Sequence, residues 1–240
     1  MFNEEKSGET NAQKESLNNT DNFDNFKEEE TVTPAADTAK VLVVHASPNA
    51  PGVDLLVDNV KVNSSALTFP NNTGYLTVNA GARNIKVNVS GTSTTVIDAT
   101  PTLAKDVNYS VFAIDSVSKI SPLVTVDNLA APASGKAHIR FIHLSPNAPA
   151  VDVSLVGQAA GTGLFLNRSF NKTITASESA FTPVDAGTYD LEVRVAGTTT
   201  VALDLPDVTL TAGKIYTVFA KGFLGGTGAQ ALGAGIIVNK

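Results

Sequence analysis

Residues 45–54 read HASPNAPGVD and residues 143–152 read HLSPNAPAVD, eight identities in ten positions at an offset of 98. A decapeptide made twice is either a reactive site or a structural corner, and its surroundings decide which. A nearly continuous apolar run leads into each copy, VLVVHA at 41–46 and AHIRFIHL at 137–144. Such a run suits a strand covered on both faces. Alternation puts Val41, Val43 and His45 on one face of the first run, and Ala137, Ile139, Phe141 and His143 on one face of the second. Each histidine therefore closes a core stripe. A buried imidazole must satisfy its nitrogens, and the nearest polar groups are those of the loop that follows.

That loop has the chemistry of a turn. Pro48 and Pro51 fix two φ angles and push Ser47 and Ala50 into extended backbone, Pro48-Asn49 suits the centre of a type I turn, and the Ser47 side chain can bond back to the turn's amides. Ser145, Pro146, Asn147 and Pro149 repeat the pattern. The chain then re-enters a strand, with Val53, Leu55 and Val57 on the inner face and Asp54 on the outer. In the second copy Val151, Val153 and Leu155 are inner and Asp152 is outer.

The repeat continues past the decapeptide. Val78-Asn79-Ala80-Gly81 returns as Val184-Asp185-Ala186-Gly187, and Tyr109-Ser110-Val111-Phe112-Ala113 as Tyr216-Thr217-Val218-Phe219-Ala220. The offset grows from 98 to 106 and then 107, so the second copy gains about eight residues between Val156 and Phe181. Between the apolar runs fall turn signals such as Asp58-Asn59, Pro70-Asn71-Asn72 and Ser90-Gly91-Thr92, spaced as in a sandwich or barrel, and helical periodicity is absent. The fold expected is all-β: two tandem antiparallel β-sandwich domains of immunoglobulin or transthyretin type, preceded by a disordered N-terminal tether. The expected divisions are an acidic tether over 1–39, a first sandwich over 40–127, a linker over 128–135 and a second sandwich over 136–240.

Composition narrows the function. The chain has 240 residues, 42% of them apolar and 17% charged, which is the balance of a globular protein. It has no cysteine, which removes disulfides, thiolate nucleophiles and thiolate metal ligands together. The net charge of −6 resides in the tether, where ten acidic side chains face three lysines; residues 40–240 hold thirteen acids and fourteen bases. A body so nearly neutral lacks the basic face that nucleic-acid binding needs. No apolar run reaches the roughly 18–20 residues of a membrane-spanning helix. The tether has neither the basic nor the apolar region of a signal peptide, which leaves two expectations, synthesis in the cytoplasm or a targeting segment removed ahead of it.

The His/Asp pairs, His45 with Asp54 and His143 with Asp152, invite a hydrolytic or metal-dependent reading. Ser47 stands two residues from His45 without the strained elbow of G-x-S-x-G, and the whole chain has three histidines, one of them (His138) without a counterpart. The structural reading is preferred: the histidine pins a rigid corner, and the aspartate caps or pairs across a strand edge. The glycine-rich GGTGAQALGAG at 225–235 lacks the phosphate-loop spacing and a following helix, and reads as a hairpin.

The H-x-S-P-N-A-P-x-V-D signature, the later V-x-A-G turn and the closing Y-[ST]-V-F-A strand resemble the bacterial family catalogued as domain of unknown function 4397, in two tandem copies over residues 40–240. The resemblance implies β-sandwich domains that are secreted or surface-anchored, often as lipoproteins, with no established activity. It makes the acidic tether a spacer from an outer membrane, and Asp37-Thr38-Ala39 is similar to a short acceptor motif for O-glycosylation.

The expectation is thus a non-enzymatic cell-surface or secreted protein, extracytoplasmic and lipid-anchored in its native form. It serves in binding, adhesion or envelope structure. Its partner is a surface glycan or protein; no nucleic acid, catalytic residue, metal or cofactor is expected, and membrane contact comes only through the anchor. The candidate corner or binding-loop residues are His45, Ser47, Pro48, Asn49, Pro51 and Asp54, with His143, Ser145, Pro146, Asn147, Pro149 and Asp152 in the second copy. The rival expectations are an enzyme built on the His/Asp pairs and a purely structural spacer.

Overall fold

The computed structural model describes residues 36–171 and 173–240. The tether expected over 1–39 lies outside them except at its end. Thr38 and Ala39, assigned to it from sequence, already belong to the first strand, because Ala39 is buried in the core. The first half comprises β1 (Thr38–His45), β2 (Val53–Val57), β3 (Val60–Lys61), β4 (Asn72–Asn79), β5 (Gly81–Ala82), β6 (Ile85–Val89), β7 (Thr95–Ala99), β8 (Thr102–Leu103), β9 (Asn108–Ile114) and β10 (Ser121–Val126). The second comprises β11 (Lys136–His143), β12 (Val151–Leu155), β13 (Phe165–Arg168), a one-turn helix α1 (Ala176–Ser179), β14 (Thr182–Asp185), β15 (Gly187–Val195), β16 (Val201–Leu210), β17 (Ile215–Lys221) and β18 (Gly233–Val238). Residues 127–135 contribute no strand.

Each half folds as two four-stranded sheets, β10-β9-β1-β4 with β3-β2-β6-β7, and β18-β17-β11-β14 with β13-β12-β15-β16. The two halves thus share one strand order. Pairing is antiparallel with one exception per half: β1 runs parallel to β9, with His45 opposite Ala113, and β11 runs parallel to β17, with His143 opposite Ala220. The expected antiparallel sandwich character holds, and the parallel pair in each half follows from connectivity, since a strand joined to its neighbour through a long excursion into another sheet is free to pair parallel. Local turn chemistry sets the register. Asp58 and Asn59 take φ of 50° and 66° between β2 and β3, the pair of left-handed residues that a two-residue hairpin favours.

Alternation along β1 and β11 explains why these runs are apolar on both faces. Val41 and Val43 pack inward with Val53, Leu55, Val87 and Ile97 to form the first core. Ile139 and Phe141 pack with Val153, Phe165, Leu191 and Val193 to form the second. The opposite faces form a third apolar layer, in which Leu42, Val44, Phe112 and Ile114 of the first half meet Ile142, Leu144, Phe219 and Ile237 of the second. The two sandwiches therefore stack sheet against sheet, with cores inside each and a shared core between them. Burying a Val, Leu, Ile or Phe side chain contributes about 1.5–3 kcal/mol, so this layer fixes the halves as one body.

The shared layer also holds charge. Arg140 on β11 is fully buried and donates through Nη1 to Asp127 Oδ1 at 2.7 Å, through Nη2 to Ser110 Oγ at 3.2 Å and through Nε to Thr217 Oγ1 at 2.8 Å. Its guanidinium lies 4.3 Å over the ring of Phe181. Asp127 Oδ2 accepts from Tyr75 Oη and from Ser110 Oγ, each at 2.5 Å. Asn239 closes the network, donating to Tyr75 Oη at 3.1 Å and accepting from Thr217 Oγ1 at 2.7 Å. Burial pushes Arg140 below its ordinary value against the opposing pull of Asp127, and burial beside Asp127 pushes the Tyr75 hydroxyl up.

Candidate functional site

In both halves the decapeptide folds back on itself. His45 Nε2–H donates to Pro51 O at 2.9 Å and His143 Nε2–H to Pro149 O at 3.0 Å. The imidazole spans the turn from the end of one strand to the approach of the next, so the corner is fastened by its own first residue. Burial holds both imidazoles below the ordinary histidine value, only partly offset by these bonds. The turn is closed by Ala50 N–H on Ser47 O at 3.4 Å. That bond uses the backbone of Ser47, whereas its hydroxyl, expected to cap the turn, is buried without a partner among the described residues, as is that of Ser145.

Each asparagine ties the corner to the loop after β9 or β17. Asn49 Oδ1 accepts from Val117 N–H at 2.9 Å. Asn147 Oδ1 accepts from Leu224 N–H at 2.8 Å, and its amide donates back to Leu224 O at 3.0 Å. Each aspartate ties the corner to a neighbouring hairpin. Asp54 accepts from Ser90 Oγ at 3.1 Å and Gly91 N–H at 3.2 Å, and pairs with Lys61 at 2.9 Å. Lys61 and the Gly91 amide hold the Asp54 carboxyl below the usual range. Asp152 accepts from Gly197 N–H at 2.8 Å and Asn167 N–H at 2.7 Å. Gly91 and Gly197 have φ of 73° and 72°, a left-handed backbone that turns the amide toward the carboxylate and explains the Gly-Thr pair in both hairpins.

Asp152, placed on the outer face from sequence, is 3% exposed. Its carboxylate is covered because the longer second copy lays Asn167 across it. His45, Ser47, Pro48, His143 and Ser145 are likewise buried, Pro146 is half-buried, and the corners show Asn49, Pro51, Asn147 and Pro149 to solvent. Neither histidine shares a hydrogen bond with its aspartate. Among the described residues no three His, Asp or Glu side chains gather within reach of one metal ion.

The two corners lie at one end of the stack. Phe69 meets His45 edge-on at 6.4 Å, and the Nζ of Lys221, next to the Ala220 that pairs with His143, stands 5.6 Å from the same ring. Against the first corner lies a cleft of 450 Å³, lined by Asn63, Ser64, Ser65, Thr68, Asn71 and Asn72 and bearing no ionisable side chain. Its wall is bolted to the corner. Val53 exchanges two backbone bonds with Leu67 at 2.9 and 2.8 Å, His45 N–H donates to Asn71 O at 3.0 Å, and Asn63 Oδ1 accepts from Leu55 N–H at 2.7 Å. Sequence reading singled out the decapeptide and passed over this polar stretch, whose only signal is its run of Asn, Ser and Thr in VNSSALTFPNNT at 62–73.

Residues 39–154 match the family model described as Domain of unknown function (DUF4397). That stretch is a DUF4397 domain. The match opens in β1 and ends in β12, so the DUF4397 region takes in both decapeptides, the cleft and the first half of the shared layer. The resemblance read from the decapeptide holds over these residues. The second half repeats the strand order of the first but lies mostly beyond the match. Comparison with curated proteins finds no match. Among solved structures, the crystal structure of CBMbc (family CBM26) from Eubacterium rectale Amy13K in complex with maltoheptaose is 11% identical, covering 83% of this chain and 96% of that one at a TM-score of 0.23. At that score the likeness carries no ligand over to this chain.

Proposed function

We propose that the protein is a non-enzymatic, extracytoplasmic binding protein, lipid-anchored through its acidic tether, whose partner is a neutral surface glycan. The cleft at the first corner carries this reading: hydroxyls and carboxamides predominate in its lining beside Val62, Ala66, Leu67 and Leu76, no ionisable group lines it, and such a surface can exchange hydrogen bonds with sugar hydroxyls at little desolvation cost. The corner supports it from below. A wall fixed by backbone bonds presents its contacts with little ordering entropy left to lose on binding. The decapeptides support a non-catalytic role: each histidine is buried and tied through Nε2 to a proline carbonyl, while its Nδ1, expected to be bonded by the loop, is buried without a partner among the described residues, and the asparagines and aspartates are bonded to neighbouring loops. On this reading residues 136–240 are a second, diverged copy that serves as a rigid platform.

Affinity electrophoresis of the full chain through gels containing soluble polysaccharides tests the proposal. At least one neutral polysaccharide should retard the protein, and Ser64→Ala with Ser65→Ala should weaken that binding by about tenfold at an unchanged melting temperature. Retardation by none of them, or equal retardation of the double variant, overturns the reading.

A further inference from the structure

Between the two sheets of the first half runs a second cavity, of 310 Å³, lined almost entirely by aliphatic side chains, among them Val43, Leu55, Val87, Ile97, Ala99 and Val111. No Asp, Glu, Lys, Arg or His lines it, and the hydroxyl of Thr100 already accepts from Asn84 at 3.4 Å. Such a space offers water no partners. Apolar cavities about half this size stay dry and take up small hydrocarbons. The second half shows how the same position is closed. Where β1 has Val43 opposite Val111, β11 has Phe141 opposite Val218, stacked on Phe165 at 6.3 Å between centroids. Where Ile85 faces Ala99, Leu191 faces Leu205. The first half therefore carries the smaller residue at two core positions that the second half fills.

The cavity also has a way in. Val124 on the edge strand β10 lines it and is 48% exposed, with Val126 on the same face beyond it. We infer that the first sandwich binds an uncharged aliphatic ligand, a hydrocarbon chain of about ten carbons, between its sheets. The size follows from twice the volume that holds a six-carbon ring, and the absence of charge follows from the lining. A polar head group has no partner inside and stays at the β10 edge. This site is separate from the polar cleft, and neither depends on the other.

The test uses 1-decanol as the probe and the full chain. Decanol should raise the melting temperature and displace N-phenyl-1-naphthylamine from the wild type, and it should move the methyl NMR signals of Val87, Ile97 and Val111. Val43→Phe with Ala99→Leu, which installs the residues of the second half, should raise the melting temperature without ligand and weaken decanol binding by about tenfold or more. Ala99→Leu alone serves if the double variant misfolds, and should weaken binding to a smaller degree. Failure of decanol to bind the wild type overturns the inference. So do undiminished binding by the filled variants and methyl shifts confined to the second half, for example at Val195 and Leu232 beside His143.

Discussion

The two halves of the molecule match where the decapeptide dictates and differ where they touch. Both keep the histidine on a proline carbonyl, the asparagine on a loop and the aspartate on a hairpin glycine. At the shared layer, equivalent positions carry different residues: Leu42 against Arg140, Tyr75 against Phe181, Ser110 against Thr217 and, just past the ends of β10 and β18, Asp127 against Asn239. The first half supplies the buried carboxylate and the second the buried guanidinium. One half stacked on a copy of itself brings together two carboxylates or two guanidinium groups, each desolvated and unpaired, at a cost of several kcal/mol. Divergence at the interface thus selects the pairing of unlike halves, while conservation of the corner maintains each half.

The largest effect is expected from breaking that pairing. Arg140→Ala leaves Asp127 buried without its cation and should cost about 3–5 kcal/mol in urea unfolding. Asp127→Asn with Arg140→Leu gives each half the other's side chain at these two positions and removes both charges, so it should lose much less than the single change. A double-mutant cycle over the wild type, Asp127→Asn, Arg140→Leu and the double variant reads the coupling directly. If Arg140→Ala costs under about 1 kcal/mol, the network does not hold the halves together.

A smaller loss is expected from unpinning either corner. His45→Ala and His143→Ala each remove a buried ring and its bond to a proline carbonyl, for about 2 kcal/mol in thermal or urea unfolding. His45 should be the costlier, because its ring also meets Phe69. The pH dependence has a definite sign. Burial holds both folded-state values below the ordinary histidine value of about 6.5, so the unfolded chain takes up protons first as pH falls. The histidine contribution is therefore complete above pH 6.5 and declines below it, toward the lowered folded values. The double variant His45→Ala/His143→Ala should show a shallower fall in melting temperature between about pH 7.5 and 5 than the wild type. An equal fall would show that the rings titrate as they do in the unfolded chain.

Much of the frame was legible because the motif came twice. Strand runs, the hairpin at Asp58-Asn59, the repeat and its enlargement in the second copy can all be read from spacing. The shared layer was not, although its signal was present: VLVVHA is apolar on both faces, and a sandwich with one solvent face has no use for the second. Arg140 in AHIRFIHL stands on the face opposite Phe141 and His143, and nothing in the spacing of one half marks a charge on that face as buried. Its partner Asp127 is close in sequence but lies across the linker. Thr175-Ala-Ser-Glu178 is a capping box, and the short helix it starts carries Ser179, whose carbonyl accepts from Arg140 at 3.3 Å. Part of the stretch that lengthens the second copy thus covers the arginine, which no reading of one half alone suggests. The polar cleft was hidden for another reason. Asn, Ser and Thr in a loop satisfy turn geometry and ligands equally well, and only the backbone bonds to the corner show that this loop is held as a wall.

The smallest effect separates the two asparagines. Asn147 exchanges two bonds with Leu224, whereas Asn49 accepts one from Val117, and both stand at the surface, where water replaces a lost partner at modest cost. Asn147→Ala should therefore cost about 1–2 kcal/mol and Asn49→Ala about half as much, by urea unfolding. Hydrogen exchange adds spatial resolution, since loss of either tie should raise exchange at its own loop, the Leu224 amide in one case and the Val117 amide in the other. Equal costs with no local change in exchange would mean that the proline backbone and the histidine bond fix the corners by themselves. In that case the asparagine is retained in both halves for its turn conformation.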